Sequence, residues 1–296
     1  MSVEDISIVE ATDAPALTAR YMTWYRFSRN PAAIIGTIIV VSVVLIAIFA
    51  PLLATYPKHV GAVVDFRARH LPPDALHWFG TDKAGRDIFT RVLFGFRVSL
   101  LLVVGVLGIS VPIGVTLGLL AGYFKGPVER FISGFTNVML AIPPLVMALA
   151  VGNVLEPNLV NAMLAITVLW WTWHARLVYR VAKSVAVEDF IEAARLSGAS
   201  HFHILTREIL PNCISVISVK TTLDAAFVIM FGATLSFLGL GVQPPTPDLG
   251  SMIAESRQFL PEKWWEVLAP GMAIFYATLG FNLLGDGLRD MFDVET

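Results

Sequence analysis

The chain has 296 residues, of which 56% are hydrophobic and only 15% are charged. A soluble domain carries about 25% charge, so a water-soluble globule is excluded, and a formal net charge of −2 leaves no basic surface for nucleic acid. Cys213 is the single cysteine, so no internal disulfide forms, and it reads as a reduced, small packing residue.

Residues 1–29 form an N-terminal segment. Glu4, Asp5, Glu10 and Asp13 precede a long apolar run, a pattern that is not a cleaved signal peptide. Tyr21, Trp24, Tyr25 and Phe27 alternate with Arg20, Arg26 and Arg29, the composition of an interfacial stretch. A membrane span needs about 20 apolar residues. Charge-free runs of that kind occupy 30–57, 98–124, 131–155, 157–173 and 267–285. A further run at 211–239 is broken by Lys220 and Asp224 alone. Six transmembrane helices in an all-α membrane protein are therefore expected. The segment 30–96 holds the first helix and an extracytoplasmic stretch, 97–291 the remaining transmembrane domain, and 292–296 a cytoplasmic tail.

Between the first two spans, Asp82, Arg86 and Asp87 alternate in sign around Gly85, as in a compact salt-bridged turn. Gly114 and Gly118, four apart, allow another helix to approach closely. Pro112 and the pair Pro143-Pro144 are able to kink their helices. After the fifth span, Pro244-Pro245-Thr246-Pro247 stiffens the chain. Leu249, Met252, Ile253 and Phe259-Leu260 then read as a short amphipathic helix at the outer interface, ended by Pro261 and anchored by Trp264 and Trp265.

The polar segment 184–210 carries Glu192-Ala193-Ala194-Arg195-Leu196-Ser197-Gly198 and then Ile209-Leu210-Pro211. Val187, Ile191 and Ala194 recur at i, i+4 and i+7, one apolar helical face. Gly198 falls where a helix end needs φ > 0, and Ser200 caps a second helix. Pro211 is expected to stop that helix and begin the next span. With the N-terminus inside, Lys125, Arg130, Arg176, Arg180, Lys183, Arg195 and Arg207 fall on the cytoplasmic side, as the positive-inside rule asks. The segment 55–97, with seven Lys and Arg, departs from that rule.

No enzyme chemistry is visible. The chain has no Gly-Lys dipeptide for a phosphate-cradling loop, no His-Glu-x-x-His helix and no G-x-S-x-G elbow. His201 and His203, two apart, do not share a helical face as a metal-ligand pair would.

The 192–211 pattern resembles the "EAA…G…I-L-P" cytoplasmic loop of bacterial ABC-importer permeases. Residues 80–100, from Gly80-Thr81-Asp82 through Gly85-Arg86-Asp87 to Arg97-Val98-Ser99-Leu100, are similar to the segment before the second helix in C-type permeases of the dipeptide/oligopeptide/nickel importers. Gln243-Pro244-Pro245-Thr246-Pro247 and Asn282-Leu283-Leu284-Gly285-Asp286-Gly287-Leu288-Arg289-Asp290 resemble that family's outer loop and C-terminal signature. Thr90, Leu249 and Glu208 depart from it. The resemblance implies a type I importer fold whose EAA loop docks on an ATPase, with Glu192, Ala193, Ala194, Gly198 and Pro211 in the coupling role. It implies a B-type permease partner, two ATPase subunits that bind ATP and Mg, and an extracytoplasmic binding protein. It also implies a bacterial cytoplasmic membrane location with both termini in the cytoplasm.

Lys220 and Asp224, at i and i+4, are expected to pair and to face the translocation path or the partner permease rather than lipid. Di- and oligopeptides are favoured as cargo, with nickel or another small solute as the alternative. An ion-coupled secondary transporter using Lys220 and Asp224 is the rival from another class.

Overall fold

A computed structural model describes residues 27–292. Most of the expected interfacial stretch, including Tyr21, Trp24 and Tyr25, and the tail from 293 lie outside the described residues.

Asn30 begins the first helix: its side chain accepts from the amides of Ala32 and Ala33, and Pro31 supplies the first turn. This helix, α1, runs Pro31–Leu53. Two 3-10 turns, Pro57–Val60 and Phe66–Ala68, lead to α2, Ile88–Tyr123, capped by the Asp87 carboxylate on the Thr90 amide. α2 starts ten residues before the charge-free run at 98, because Arg91 and Arg97 do not stop it. Arg91 is buried, and its guanidinium donates to the carbonyls of His59 (3.2 Å) and Pro245 (3.1 Å). At 36 residues, α2 is about 54 Å long, well beyond the hydrocarbon core.

The expected third span, 131–155, is not one helix. α3 (Pro127–Leu140) and α4 (Pro144–Val154) meet at 85°. Pro143 and Pro144 supply no amide hydrogen, and their rings clash with the preceding turn, so the helix restarts. α5 (Leu159–Val185) outruns its charge-free stretch by a dozen residues. Arg176 reaches Asn137 (3.0 Å) and Lys183 reaches Glu129 (2.7 Å), which ties the extension to α3.

α6 spans Asp189–Leu196. A helical turn at His201–His203 and a π-helical turn at Ile204–Ile209 then run without a break into α7, Leu210–Phe237. Pro211 therefore does not separate two helices, contrary to the sequence reading. The wider π turn, in which the Leu210 amide reaches back to the Leu205 carbonyl, is where the chain absorbs a residue that cannot donate. α8 (Leu249–Ser256) and α9 (Trp265–Phe292) complete the order.

Among the described residues, α1, α2, the continuous helix His201–Phe237 and α9 are each long and apolar enough to cross a membrane, and the α3–α4 pair, bent by 85°, is apolar enough to be a broken span or a re-entrant loop. α5 is long enough but less apolar, because Asn161, His174, Arg176, Arg180 and Lys183 lie along it; of its polar residues, Thr167, Thr172 and His174 are buried among the other helices. α2 and α5 approach most closely at Gly114, Gly118 and Gly122. A Cβ on Gly118 would stand 2.7 Å from the Ala175 carbonyl oxygen, and one on Gly122 would stand 2.6 Å from Ala182 Cβ. The i, i+4 glycine signal thus marks a real helix contact.

The segment between α1 and α2 is a cap clamped to distant parts of the chain. Arg86 donates to Asp82 (2.7 Å) and Glu255 (3.3 Å), and His70 pairs with Glu266. Asp87 also holds His77 (2.9 Å). Gly85, at φ +79, packs so closely on the Asp65 carbonyl that a side chain has no room. α8 is not an interfacial helix, as its sequence suggested. Leu249 and Met252 are buried, Leu249 lies over Gly95 of α2, and Gly250 lies against Ala233 of α7. Of the two tryptophans expected at the surface, Trp264 is exposed and Trp265 is buried.

Candidate functional site

Two places concentrate polar chemistry: the hairpin joining α5 to α7 and a charge cluster inside the helix bundle.

In the hairpin, Asp189 and Glu192 occupy the first turn of α6 and Arg195 the last, each matched to the helix dipole. The helix ends in a Schellman motif: the Ala199 amide donates to the Ala194 carbonyl and the Gly198 amide to the Arg195 carbonyl, both at 3.0 Å. That geometry needs a left-handed residue, and Gly198 supplies φ +82. Ser200 then accepts from the His203 amide and caps the next helix. The two-helix reading with a glycine hinge is therefore what forms locally. Val187 departs from it: α6 begins after Glu188, and Val187 is exposed rather than on the packed face.

The hairpin is anchored on one side only. Ile191, Ile204 and Ile209 are buried with Leu119, Tyr123, Val178 and Ala182 at the ends of α2 and α5. The Tyr123 hydroxyl lies 2.8 Å from His201 Nδ1, and the Arg195 guanidinium sits 5.0 Å from the Tyr123 ring centre. On the other side, Leu196 is 85% and Phe202 76% exposed, beside exposed Phe190. Glu192, Ala193 and Gly198 are exposed and Ala194 half-buried. Phe190, Leu196 and Phe202 are thus large apolar side chains left exposed on a polar loop. Sequence reasoning named the polar and small residues but missed Phe190, Leu196 and Phe202. Their signal was available as large apolar residues set in a polar, charged stretch of the sequence.

Inside the bundle, Lys220 donates to Asp224 Oδ1 one helical turn away on α7. Asp224 Oδ2 faces His174 Nε2 of α5 at 3.6 Å, and Thr221 Oγ1 lies 3.5 Å from the same nitrogen. The side chains of His174 and Asp224 are 0% and 1% exposed, against 28% for Lys220, whose ammonium also sits 6.0 Å from the Trp173 ring centre. Asp224 Oδ2 has no hydrogen-bond partner among the described residues. The expected pair forms, then, and His174 is its unforeseen third member. His174 lies just past the charge-free run that ends at 173, and in the structure it sits in the middle of α5. An unpaired charge at this depth costs about 2.5–3.5 kcal/mol on an insertion scale, which the pairing offsets. His, Cys, Asp and Glu side chains do not gather in threes at metal-binding spacing among the described residues.

Residues 114–295 match the family model described as "Binding-protein-dependent transport system inner membrane component". The chain belongs to that family. Residues 20–73 also match the N-terminal transmembrane domain of oligopeptide transport permease C, which supports the C-type resemblance. The chain is 38% identical over 293 residues to "Probable D,D-dipeptide transport system permease protein DdpC" of Escherichia coli K12, covering 99% of this chain and 97% of that protein. It is 42% identical to the dipeptide transport system permease protein DppC of Alkalihalophilus pseudofirmus, over 90% of this chain and 87% of the relative. The Haemophilus influenzae DppC is 37% identical over 91% and 92% of the two chains.

Proposed function

We propose that the protein is a membrane-spanning permease subunit of an ATP-driven importer of di- and oligopeptides. The observation that carries this reading is similarity along nearly the whole chain to permeases named for dipeptide transport. In it, α5 is the sixth span: its 27 residues exceed the bilayer core, and Thr167, Thr172 and His174 turn inward. The polar hairpin faces the cytoplasm, so both termini lie there too. The translocating domain, 97–291, forms the path together with a B-type permease.

The hairpin couples the membrane domain to two ATPase subunits. Phe190, Leu196 and Phe202 supply an apolar contact, and Glu192, Ala193, Ala194, Gly198 and Pro211 set its shape. ATP and Mg bind in the ATPases, and this subunit is not itself an enzyme. Nucleotide-driven closure of the ATPases moves two such hairpins, α7 transmits the motion, and the membrane dimer opens outward to an extracytoplasmic binding protein. The free energy for switching comes from nucleotide contacts that differ between the two states. Lys220 and Asp224 face the path or the partner permease rather than lipid.

Uptake of labelled di- and oligopeptides, and of nickel and its chelates, in a strain lacking this gene tests the reading. Loss of peptide uptake, restored by the gene, is expected. Unchanged peptide uptake with lost nickel uptake would overturn the cargo in favour of the metal.

A further inference from the structure

The buried cluster on α5 and α7 is asymmetric in a way that a packing ion pair does not require. Two of its three polar members, His174 and Asp224, are sealed from solvent, and the third, Lys220, keeps a reachable ammonium. The exposure follows from the register of α7. Lys220, Phe227 and Thr234 recur every seven residues along one open side of the helix, whereas Asp224 turns inward to His174. A partly exposed ammonium does not face hydrocarbon, so this side of α7 meets protein or an aqueous path. Trp173 flanks the same ammonium from α5, its ring centre 6.0 Å away, so Lys220 is held between a carboxylate and an aromatic face.

We propose that Lys220 is the residue that receives the terminal carboxylate of the passing peptide, with Asp224 as the internal carboxylate that the cargo displaces and His174 as the positioning residue that keeps Asp224 in place. Asp224 occupies the ammonium while the path is empty, so no unpaired charge stands in the membrane. A cargo carboxylate competes for the same ammonium, while the other Asp224 oxygen, Oδ2, stays 3.6 Å from His174 Nε2 on the buried side, with Thr221 Oγ1 3.5 Å from that nitrogen. Because one internal carboxylate opposes every incoming one, the contact is weak enough to release. A conduit must bind its cargo in this way. The inference rests on the peptide reading above and names which end of the peptide the membrane domain recognises.

The test uses the intact importer reconstituted in vesicles with its partner permease, ATPases and binding protein. Uptake per assembled complex is measured for alanyl-alanine and for its C-terminal amide, and the ratio of the two is normalised to wild type. The unchanged binding protein contributes equally to every ratio and cancels. Lys220→Gln is expected to lower the carboxylate-to-amide ratio about tenfold or more, the scale of one hydrogen bond to a charged group. Lys220→Arg restores it to within about twofold, as charge is retained. Asp224→Asn moves the ratio the other way, since the competing carboxylate is gone, and His174→Ala shifts it in the same direction as Asp224→Asn but less. A structural ion pair would instead move assembly and leave all these ratios at one. Ratios unchanged in Lys220→Gln, or Lys220→Gln and Asp224→Asn moving them in the same direction, overturn the proposal while the peptide reading stands. Wild-type vesicles that import neither compound overturn both.

Discussion

The hydroxyl of Tyr123, at the last turn of α2, lies 2.8 Å from Nδ1 of His201, at the start of the helix that becomes α7. With Arg195 of α6 over the Tyr123 ring, this one side chain touches both arms of the hairpin and the longest helix of the bundle. In the proposed coupling role, a push on the hairpin would reach the membrane helices through it.

Tyr123→Phe removes the hydroxyl and keeps the ring. It is expected to cost about 1 kcal/mol, one hydrogen bond, and to reduce coupled uptake only mildly. Tyr123→Ala, which empties a buried site, is expected to cost about 3 kcal/mol or more and to separate ATP hydrolysis from transport. Measuring both rates on one preparation checks this. Equal behaviour of the two variants would mean the ring has no mechanical part.

Gly198 separates conformational from steric cost. Nothing lies within 4 Å of a Cβ placed there, yet its φ is +82. Gly198→Asn is therefore expected to be tolerated, since asparagine enters the left-handed region most readily among other residues. Gly198→Val carries about 1–2 kcal/mol of backbone strain and is expected to misaim the hairpin, with normal membrane levels but weaker ATPase copurification. Normal uptake by the valine variant would refute a shape-dependent docking role.

The glycines of α2 behave in the opposite way. A Cβ at Gly118 would meet the Ala175 carbonyl oxygen at 2.7 Å and Val178 Cβ at 2.8 Å. Gly118→Val is expected to force α2 and α5 apart at about 1–3 kcal/mol, the scale of overpacking, read as a lower melting temperature in detergent. An unchanged melting temperature would show that the two helices separate freely.

Much of this was legible in the sequence, and the failures have physical causes. The Schellman turn at Gly198, the Ser200 cap and the Lys220–Asp224 pair follow from local rules that tertiary packing did not overrule. Helix ends were misplaced wherever charges were taken as span limits. Arg91 and Lys183 sit inside helices because Pro245 and Glu129, far off in sequence, satisfy them. His174 was missed for the same reason: its partner is fifty residues away. Pro211 misled because a π turn, which has no sequence signature, absorbs its missing amide.

His59 gives the cap between α1 and α2 a pH dependence. Burial holds its pKa below the ordinary 6.5, chiefly by desolvating the charged ring, with Asp87 pulling the other way. Its Nδ1 accepts from the Asp87 amide at 2.9 Å, which only the unprotonated nitrogen can do. A depressed folded pKa means stability that is full above the unfolded value and lost as pH falls through 6.5 towards the lower folded one. Protection against hydrogen exchange in the 59–88 region, taken relative to the intrinsic rate at each pH, is expected to fall from pH 7.5 to about pH 5.5, and less in His59→Gln. Exchange that is equally pH-dependent in the variant would assign the effect to another group.

Leucine at Lys220 leaves the buried Asp224 carboxylate without its partner, and leucine at Asp224 leaves the part-exposed Lys220 ammonium without its own. Each single variant is expected to assemble less well than the double variant, because breaking a buried pair costs about 3–5 kcal/mol while replacing both members is near neutral. Yield of folded complex on a sizing column is the readout. A double variant as poor as the sum of the singles would mean that the two residues do not interact.

Most directly, the account claims that this membrane subunit works only when driven through its hairpin by ATP hydrolysed elsewhere. The decisive measurement is accumulation of a labelled dipeptide in vesicles holding the intact importer, with the partner ATPases either native or lacking the lysine of their phosphate-binding loops. The account predicts ATP-dependent accumulation in the first case and none in the second. Accumulation that survives loss of that lysine would contradict it and point to an ion-coupled transporter built around Lys220 and Asp224.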